Sequence, residues 1–164
     1  MSIEVKSPDT WDLGTKTMFL AGSIEMGVAE QWQIVVADFV HQNASNYWSI
    51  LNPRRDDWDS SWVQDISNEN FYEQVRWELA GLEHSDLVLM YFDPSTQSPI
   101  TLLELGMISQ LDCFVIVCCP DGFWRKGNVQ IMCDKYDMVL TDTKEEFFNM
   151  IKKVVSNEFV GHPK

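Results

Sequence analysis

Apolar residues recur along the chain in two alternating rhythms. Short, nearly unbroken runs occur at 16–22 ("KTMFLAG"), 48–53 ("WSILNP"), 85–93 ("SDLVLMYFD"), 113–119 ("CFVIVCC") and, more weakly, 137–141 ("DMVLT"). Runs of that length, bounded by glycine, proline or aspartate, read as strands covered on both faces, the pattern of a parallel sheet. Between them the period becomes helical. Segment 29–40 places Trp32, Val35, Val36, Phe39 and Val40 on one stripe, and 69–84 does the same with Phe71, Val75, Leu79 and Leu82. Further helices are predicted over 99–111, within 121–135 and over 143–157. The last has Asp142 or Thr143 as its cap, Glu145 and Glu146 in its first turn and Lys152 and Lys153 in its last, where the helix dipole favours each charge. Strand and helix in strict alternation predict an α/β fold, a parallel sheet with helices on both faces joined by right-handed crossovers. Residues 1–15 show no period and are expected to be irregular, within a single domain spanning 1–164.

The stretch 52–70, "NPRRDDWDSSWVQDISNEN", has neither period and is longer than the usual connection in a compact domain. Trp58 and Trp62 within it are expected to cover a ligand ring or to pack back onto the domain. Arg54 and Arg55, followed by Asp56 and Asp57, read as an anion grip or as a solvated charge cluster.

Charge narrows the choice of partner. With 25 acidic and 12 basic side chains the 164 residues carry a formal charge of −13, which repels phosphate backbones and anionic lipid, so neither nucleic acid polymer nor membrane is expected as a partner. The first residues, "MSIEVKSPDTWDLG", lack a secretory pattern, and no apolar run reaches the roughly 18 residues of a membrane span, so a soluble cytoplasmic protein is expected. Cys113, Cys118, Cys119 and Cys133 have no CxxC spacing and read as buried reduced thiols. His41, His84 and His162 lack zinc spacing, and there is no Walker-type or GxGxxG loop; neither metal nor organic cofactor is expected.

The chemistry concentrates in two acids. Ser98 and Pro99 have the character of an N-cap and first residue of a helix. Turning about 100° per residue from there, Ile100, Met107, Ile108 and Leu111 form one stripe with Glu104 in its middle. Glu78 falls on the apolar stripe of the preceding helix in the same way. A buried unpaired carboxylate is costly, so such positions hold either ion pairs, here with Arg76 or Arg125, or acids in use. Two acids flanking one cleft suit cleavage of a glycosidic bond, one attacking the anomeric carbon and the other protonating the leaving group.

The segments "MFLAGSI" (18–24), "ELAGLEHSDLVLMYFD" (78–93), "SPITLLELG" (98–106) and "KGNVQI" (126–131), in this order and spacing, resemble the nucleoside 2-deoxyribosyltransferase family and its relatives that hydrolyse nucleoside or nucleotide N-glycosidic bonds. The resemblance covers residues 17 to about 140 and implies a flavodoxin-like, doubly wound, five-stranded parallel sheet. It implies Glu104 as nucleophile and Glu78, where many members have aspartate, as the acid/base. Gly22 and Ser23, in the turn "GSIEMG", join the substrate site by the same resemblance, and Trp58 joins it only as the indole that would cover a ligand ring. Ser98 stands where members carry an aspartate six residues before the nucleophile, and Asp93 is the candidate to supply that carboxylate. Serine there also resembles the nucleotide-hydrolysing branch, in which it helps to hold a 5′-phosphate, whereas Glu25 replaces that branch's basic side chain. Asn128 resembles the asparagine given by a neighbouring subunit to the sugar's 5′-hydroxyl, which implies a homo-oligomer; its other reading is an ordinary turn residue after Gly127. Phe19 takes the place of an aromatic beside the nucleophile, or is a core strand residue.

The expectation is therefore a transferase acting on a nucleoside and a free base. Hydrolysis of nucleosides or their 5′-monophosphates is the first alternative, and a non-catalytic nucleotide-binding module of the same fold is the second.

Overall fold

The computed structural model describes residues 2–24, 29–55, 59 and 61–158. Among these residues the strands are β1 (Ile3–Lys6), β2 (Lys16–Gly22), β3 (Trp48–Asn52), β4 (Leu87–Tyr91), β5 (Phe114–Cys118) and β6 (Val139–Thr141). The helices are α1 (Trp32–Asn43), α2 (Glu69–His84), α3 (Pro99–Ile108), α4 (Lys126–Lys135) and α5 (Lys144–Val155). One sheet runs β1-β3-β2-β4-β5-β6 with every neighbouring pair parallel. Without β1 this is the flavodoxin-like order, whose direction of winding reverses between β2 and β4.

The sheet has six strands, not five. Ile3–Lys6, in the segment expected to be irregular, pairs with β3 from Ile3 opposite Ser49 to Lys6 opposite Asn52. Four residues at a sheet edge are too short to show a period, and the open side of β3 supplies the hydrogen bonds that make them a strand.

The apolar strands still divide by alternation. Phe19, Ala21, Val88, Met90, Val115 and Val117 face one core with Leu82 of α2, Leu105 and Ile108 of α3, and Val129 and Cys133 of α4. Met18, Leu20, Leu87, Leu89, Tyr91, Ile116 and Cys118 face the other, under α1 and α5. In α5 the hydroxyl of Thr143 accepts from the Glu146 N–H, while the Glu146 carboxylate accepts from the Asp142 N–H, so the predicted cap forms. All four cysteines are buried thiols outside any disulfide; burial pushes the Cys118 thiol up to about 11 and Cys119 and Cys133 up to about 12.

Three stripes differ from expectation in detail. Val35 of α1 and Leu79 of α2 are exposed, while Gln33, Gln74 and Gly81 turn inward in those helices. Ile100 of α3 is 61% exposed. Ile100, Leu102, Leu103, Leu105, Met107 and Ile108 surround α3, so its periodicity cannot choose a face, and contact with α4 does.

Candidate active site

At the reversal point, β2 ends in Gly22, whose φ of +150° favours glycine. A Cβ there would lie 2.4 Å from the Tyr91 carbonyl oxygen and 2.8 Å from the Trp32 ring. This close approach lets Ser23 N–H donate to Tyr91 O at 2.9 Å and sets the Ser23 hydroxyl against the end of β4. There it accepts from Asp93 N–H (2.9 Å) and meets Ser98 Oγ at 2.5 Å and Thr96 Oγ1 at 3.1 Å. Thr96 Oγ1 in turn reaches Ser98 Oγ at 2.7 Å and donates to Asp93 O at 2.8 Å. The three hydroxyls are buried. Their web ties the carboxyl ends of β2 and β4 to the start of α3.

Ser98 begins α3, as the sequence predicts, but its side chain makes no cap hydrogen bond. The residue sits in the left-handed region at φ 45°, and its hydroxyl is engaged by Ser23 and Thr96 instead. The Asp93 carboxylate is also committed. Oδ1 accepts from the N–H and hydroxyl of Ser95 (2.9 and 2.7 Å), and Oδ2 from Glu30 N–H (3.2 Å). Burial opposes its ionisation, but these donors and the Lys144 charge hold the carboxyl below its ordinary range.

Helices α2, which carries Glu78, and α3, which carries Glu104, both pack against β2. Glu78 and Glu104 are half-buried. Burial pushes Glu78 up to about 7, against a hydrogen bond from Gln74 that lowers it. Burial and then the charge of Glu78 push Glu104 up to about 8. A charge raises a neighbouring carboxyl in this way only across a short, poorly solvated distance, so the two sequence-predicted acids lie near one another. Neither acid has an ion pair among the described residues, and Arg76 and Arg125 do not neutralise them. Because the groups are coupled, the protons leave the pair in steps that belong to both. Over the intermediate range the two carboxyl groups share one proton.

The remaining predicted residues fall around this pair. Phe19 is fully buried, its ring centroid 6.2 Å from that of Trp77, and it underlies α2 as a core residue. Asn128, in the first turn of α4, is exposed. Trp58 lies outside the described residues, as do Glu25 and His162. Arg54 is half-buried and its guanidinium donates to the carbonyls of Ala29 and Glu30, just before α1; Asp56 and Asp57 of the expected charge cluster lie outside the described residues. Arg55 lies with its guanidinium carbon 5.1 Å from the centre of the Trp62 ring and donates to Gln74 Oε1 at 3.4 Å.

Gln74 and Thr96 were not foreseen as site residues. Gln74 stands four residues before Glu78 on the same face of α2, a spacing visible in the sequence; Thr96 offered no such pattern. Among the described residues no three His, Cys, Asp or Glu side chains converge as they would around a metal ion. No helix among them is long and apolar enough to cross a membrane. A recess between α1 and α5, walled by Trp32, Val36, Phe147 and Phe148, lies on the other face of the sheet from the two acids.

Two comparisons bear on this arrangement. A family model described as "Nucleoside 2-deoxyribosyltransferase like" matches residues 15–123, from the start of β2 to just before α4. That span includes the hydroxyl web and both acids, and stops short of Asn128. Comparison with curated proteins gives no significant match.

Proposed function

The chain belongs to the nucleoside 2-deoxyribosyltransferase-like family, and from that premise we propose that it cleaves the N-glycosidic bond of a 2′-deoxynucleoside and passes the deoxyribose to another base. The observation that carries this reading is the nearness of Glu78 and Glu104: two buried acids with no ion pair among the described residues, held protonated above the usual carboxylate range.

In the first half-reaction the Glu104 carboxylate attacks C1′ and forms a C–O bond as the C1′–N bond breaks. The bonding pair leaves with the base, which takes the proton of Glu78. Positive charge growing on the sugar stabilises the ionised form of Glu104, so the pair's single proton is drawn to Glu78 as the bond stretches. In the second half the acceptor base attacks C1′, Glu104 leaves as carboxylate, and the acceptor's proton returns to Glu78. Two displacements retain the configuration at C1′.

The buried hydroxyls of Ser23 and Ser98 serve here to fix the start of α3, and so Glu104, relative to β2 and β4. With its hydroxyl turned into the web, Ser98 lends little to a 5′-phosphate site, which favours unphosphorylated nucleosides. We read the protein as a homo-oligomer. Ile100 and Leu103 of α3, Ile131 of α4 and the adjoining Trp124 are more than half exposed on neighbouring helices, beside Asn128. Such a face supports contact with a second copy, whose site Asn128 would complete.

The test is chromatography of deoxynucleosides incubated with the protein, with and without a different free base. A new nucleoside formed only with the added base is the expected result. Release of free base without an acceptor would make the protein a hydrolase. No change in any deoxynucleoside, or full activity in Glu104→Ala, would remove this reading.

A further inference from the structure

The amide of Gln74 is almost wholly enclosed, at 2% exposure, in the second turn of α2. Its Nε2 donates to Glu78 Oε1 at 2.7 Å and to the Pro53 carbonyl at 3.1 Å, so both N–H bonds are spent. Its Oε1 faces Arg55 Nη1 at 3.4 Å. Turning the amide over would set its oxygen against a carbonyl and a carboxyl oxygen and its NH2 against a guanidinium, so these neighbours define one orientation. Asn68 caps the helix below, its side chain accepting from Phe71 N–H at 3.0 Å. The amide is thus a fixed donor aimed at one oxygen of one acid.

From this geometry we infer that Gln74 is a positioning residue for the reaction: by holding Glu78 Oε1 as an acceptor it leaves Oε2 as the oxygen that carries the transferable proton. The inference rests on the assignment of Glu78 as the acid in the proposed function. An acid whose proton can sit on either oxygen spends part of its time aimed away from the leaving base; one that accepts a fixed N–H on Oε1 does not. The same bond favours the ionised form and so offsets part of the effect of burial, keeping Glu78 an effective acid near neutral pH. The charged groups near it are Glu104 of α3, which is raised by the charge of Glu78, and Arg55 of the β3–α2 connection, one hydrogen bond further off through Gln74. The Trp62 ring against Arg55 continues this chain of contacts out to the long connection.

A purely structural Gln74 would fasten Pro53 to α2 and leave the titration of Glu78 alone. The deciding measurement is therefore the carboxyl-carbon NMR titration of Glu78 in the full chain, with Glu104→Gln as background so that a single proton is followed. Adding Gln74→Met, which keeps the volume and removes the donor, is expected to raise the Glu78 midpoint by about one pH unit. Gln74→Asn, which keeps an amide but withdraws it by one methylene, is expected to move the midpoint in the same direction and serves if the methionine variant does not fold. With Glu104 intact, Gln74→Met should lower kcat about tenfold near neutral pH and change KM less than about twofold. A Glu78 midpoint unmoved in the folded variant, or a loss confined to KM, would overturn the inference. The titration needs no substrate, so a chain that transfers no deoxyribose would defeat the proposed function while the role of Gln74 was still decided by the midpoint.

Discussion

At the scale of single residues, the site depends on how closely α2 can settle on the sheet, and Gly81 sets that distance. A Cβ at Gly81 would lie 2.7 Å from two atoms of the Phe19 ring and 3.1 Å from Leu51 Cδ1. Phe19 is fully buried and cannot give way, so α2 would have to rise, taking Glu78 with it. Gly81→Ala should therefore destabilise the fold by about 1–2 kcal/mol, overpacking outweighing the better helix propensity of alanine. Urea unfolding measures this; an alanine variant as stable as the parent would mean that the contact relaxes freely. Phe19 could be read from the sequence as a strand residue, and its burial agrees with that. Its partner Gly81 is uninformative in a sequence, because a glycine's packing against a ring 62 residues away along the chain is set only when strand and helix meet.

Among the elements, α3 does two jobs that its sequence cannot separate. One side, with Thr101, Leu105 and Ile108, closes the core, and Glu104 stands beside it; the other leaves Leu103 70% exposed. Next to it, α4 exposes Ile131 to the same extent. If this face meets a second copy, Leu103→Glu should break the oligomer into chains of 19.0 kDa, read by light scattering, with loss of transfer activity. A parent protein that is itself a fully active monomer would refute the shared site. The order and type of the elements from β2 onward were legible, since strand and helix periods differ, although α1 runs Trp32–Asn43 and not 29–40; β1 was not legible, because its partner strand is distant in the chain. The capped α5 was legible in more detail, because Thr143 and Glu146 are near neighbours and need no tertiary context.

For the molecule as a whole, the acid pair links activity, stability and pH. If one of the two carboxyl groups is the nucleophile and the other the acid, as proposed, the reaction loses its nucleophile below about 7, where both are protonated, and its proton donor above about 8, where both are ionised. The kcat/KM profile should be a bell between those limbs, and a profile flat from pH 5 to 10 would contradict the coupled pair. Stability runs the same way at its alkaline side. The folded pKa values exceed the ordinary carboxylate value of 4.5, so the folded chain binds protons more tightly than the unfolded one. The pair therefore costs nothing while both states are protonated, and stability falls as pH rises from about 4.5 through 8. Glu104→Gln removes the part of that dependence that Glu104 contributes and leaves the part due to burial of Glu78. It should match the parent near pH 4 and exceed it by on the order of 2 kcal/mol at pH 8.5, measured by denaturant unfolding at both values. An advantage that does not grow with pH would show that Glu104 is better solvated than its surroundings imply.

Local pattern by itself determined the alternation of strands and helices, the parallel class of the sheet, and the presence of Glu78 and Glu104 on inner faces, because each of these is written in a spacing of two or of three to four residues. The tertiary structure decided what no spacing contains. It added β1 at the edge, joined Ser23, Thr96 and Ser98 into one buried web, and turned Asp93 toward Ser95 and Glu30. It also removed Arg76 and Arg125 as partners for the acids and put Gln74 between Arg55 and Glu78. The physical reason is the same in every case: a polar group's role depends on which donor or acceptor lies within about 3 Å of it, and residues far apart in the chain reach that distance only after the sheet has closed.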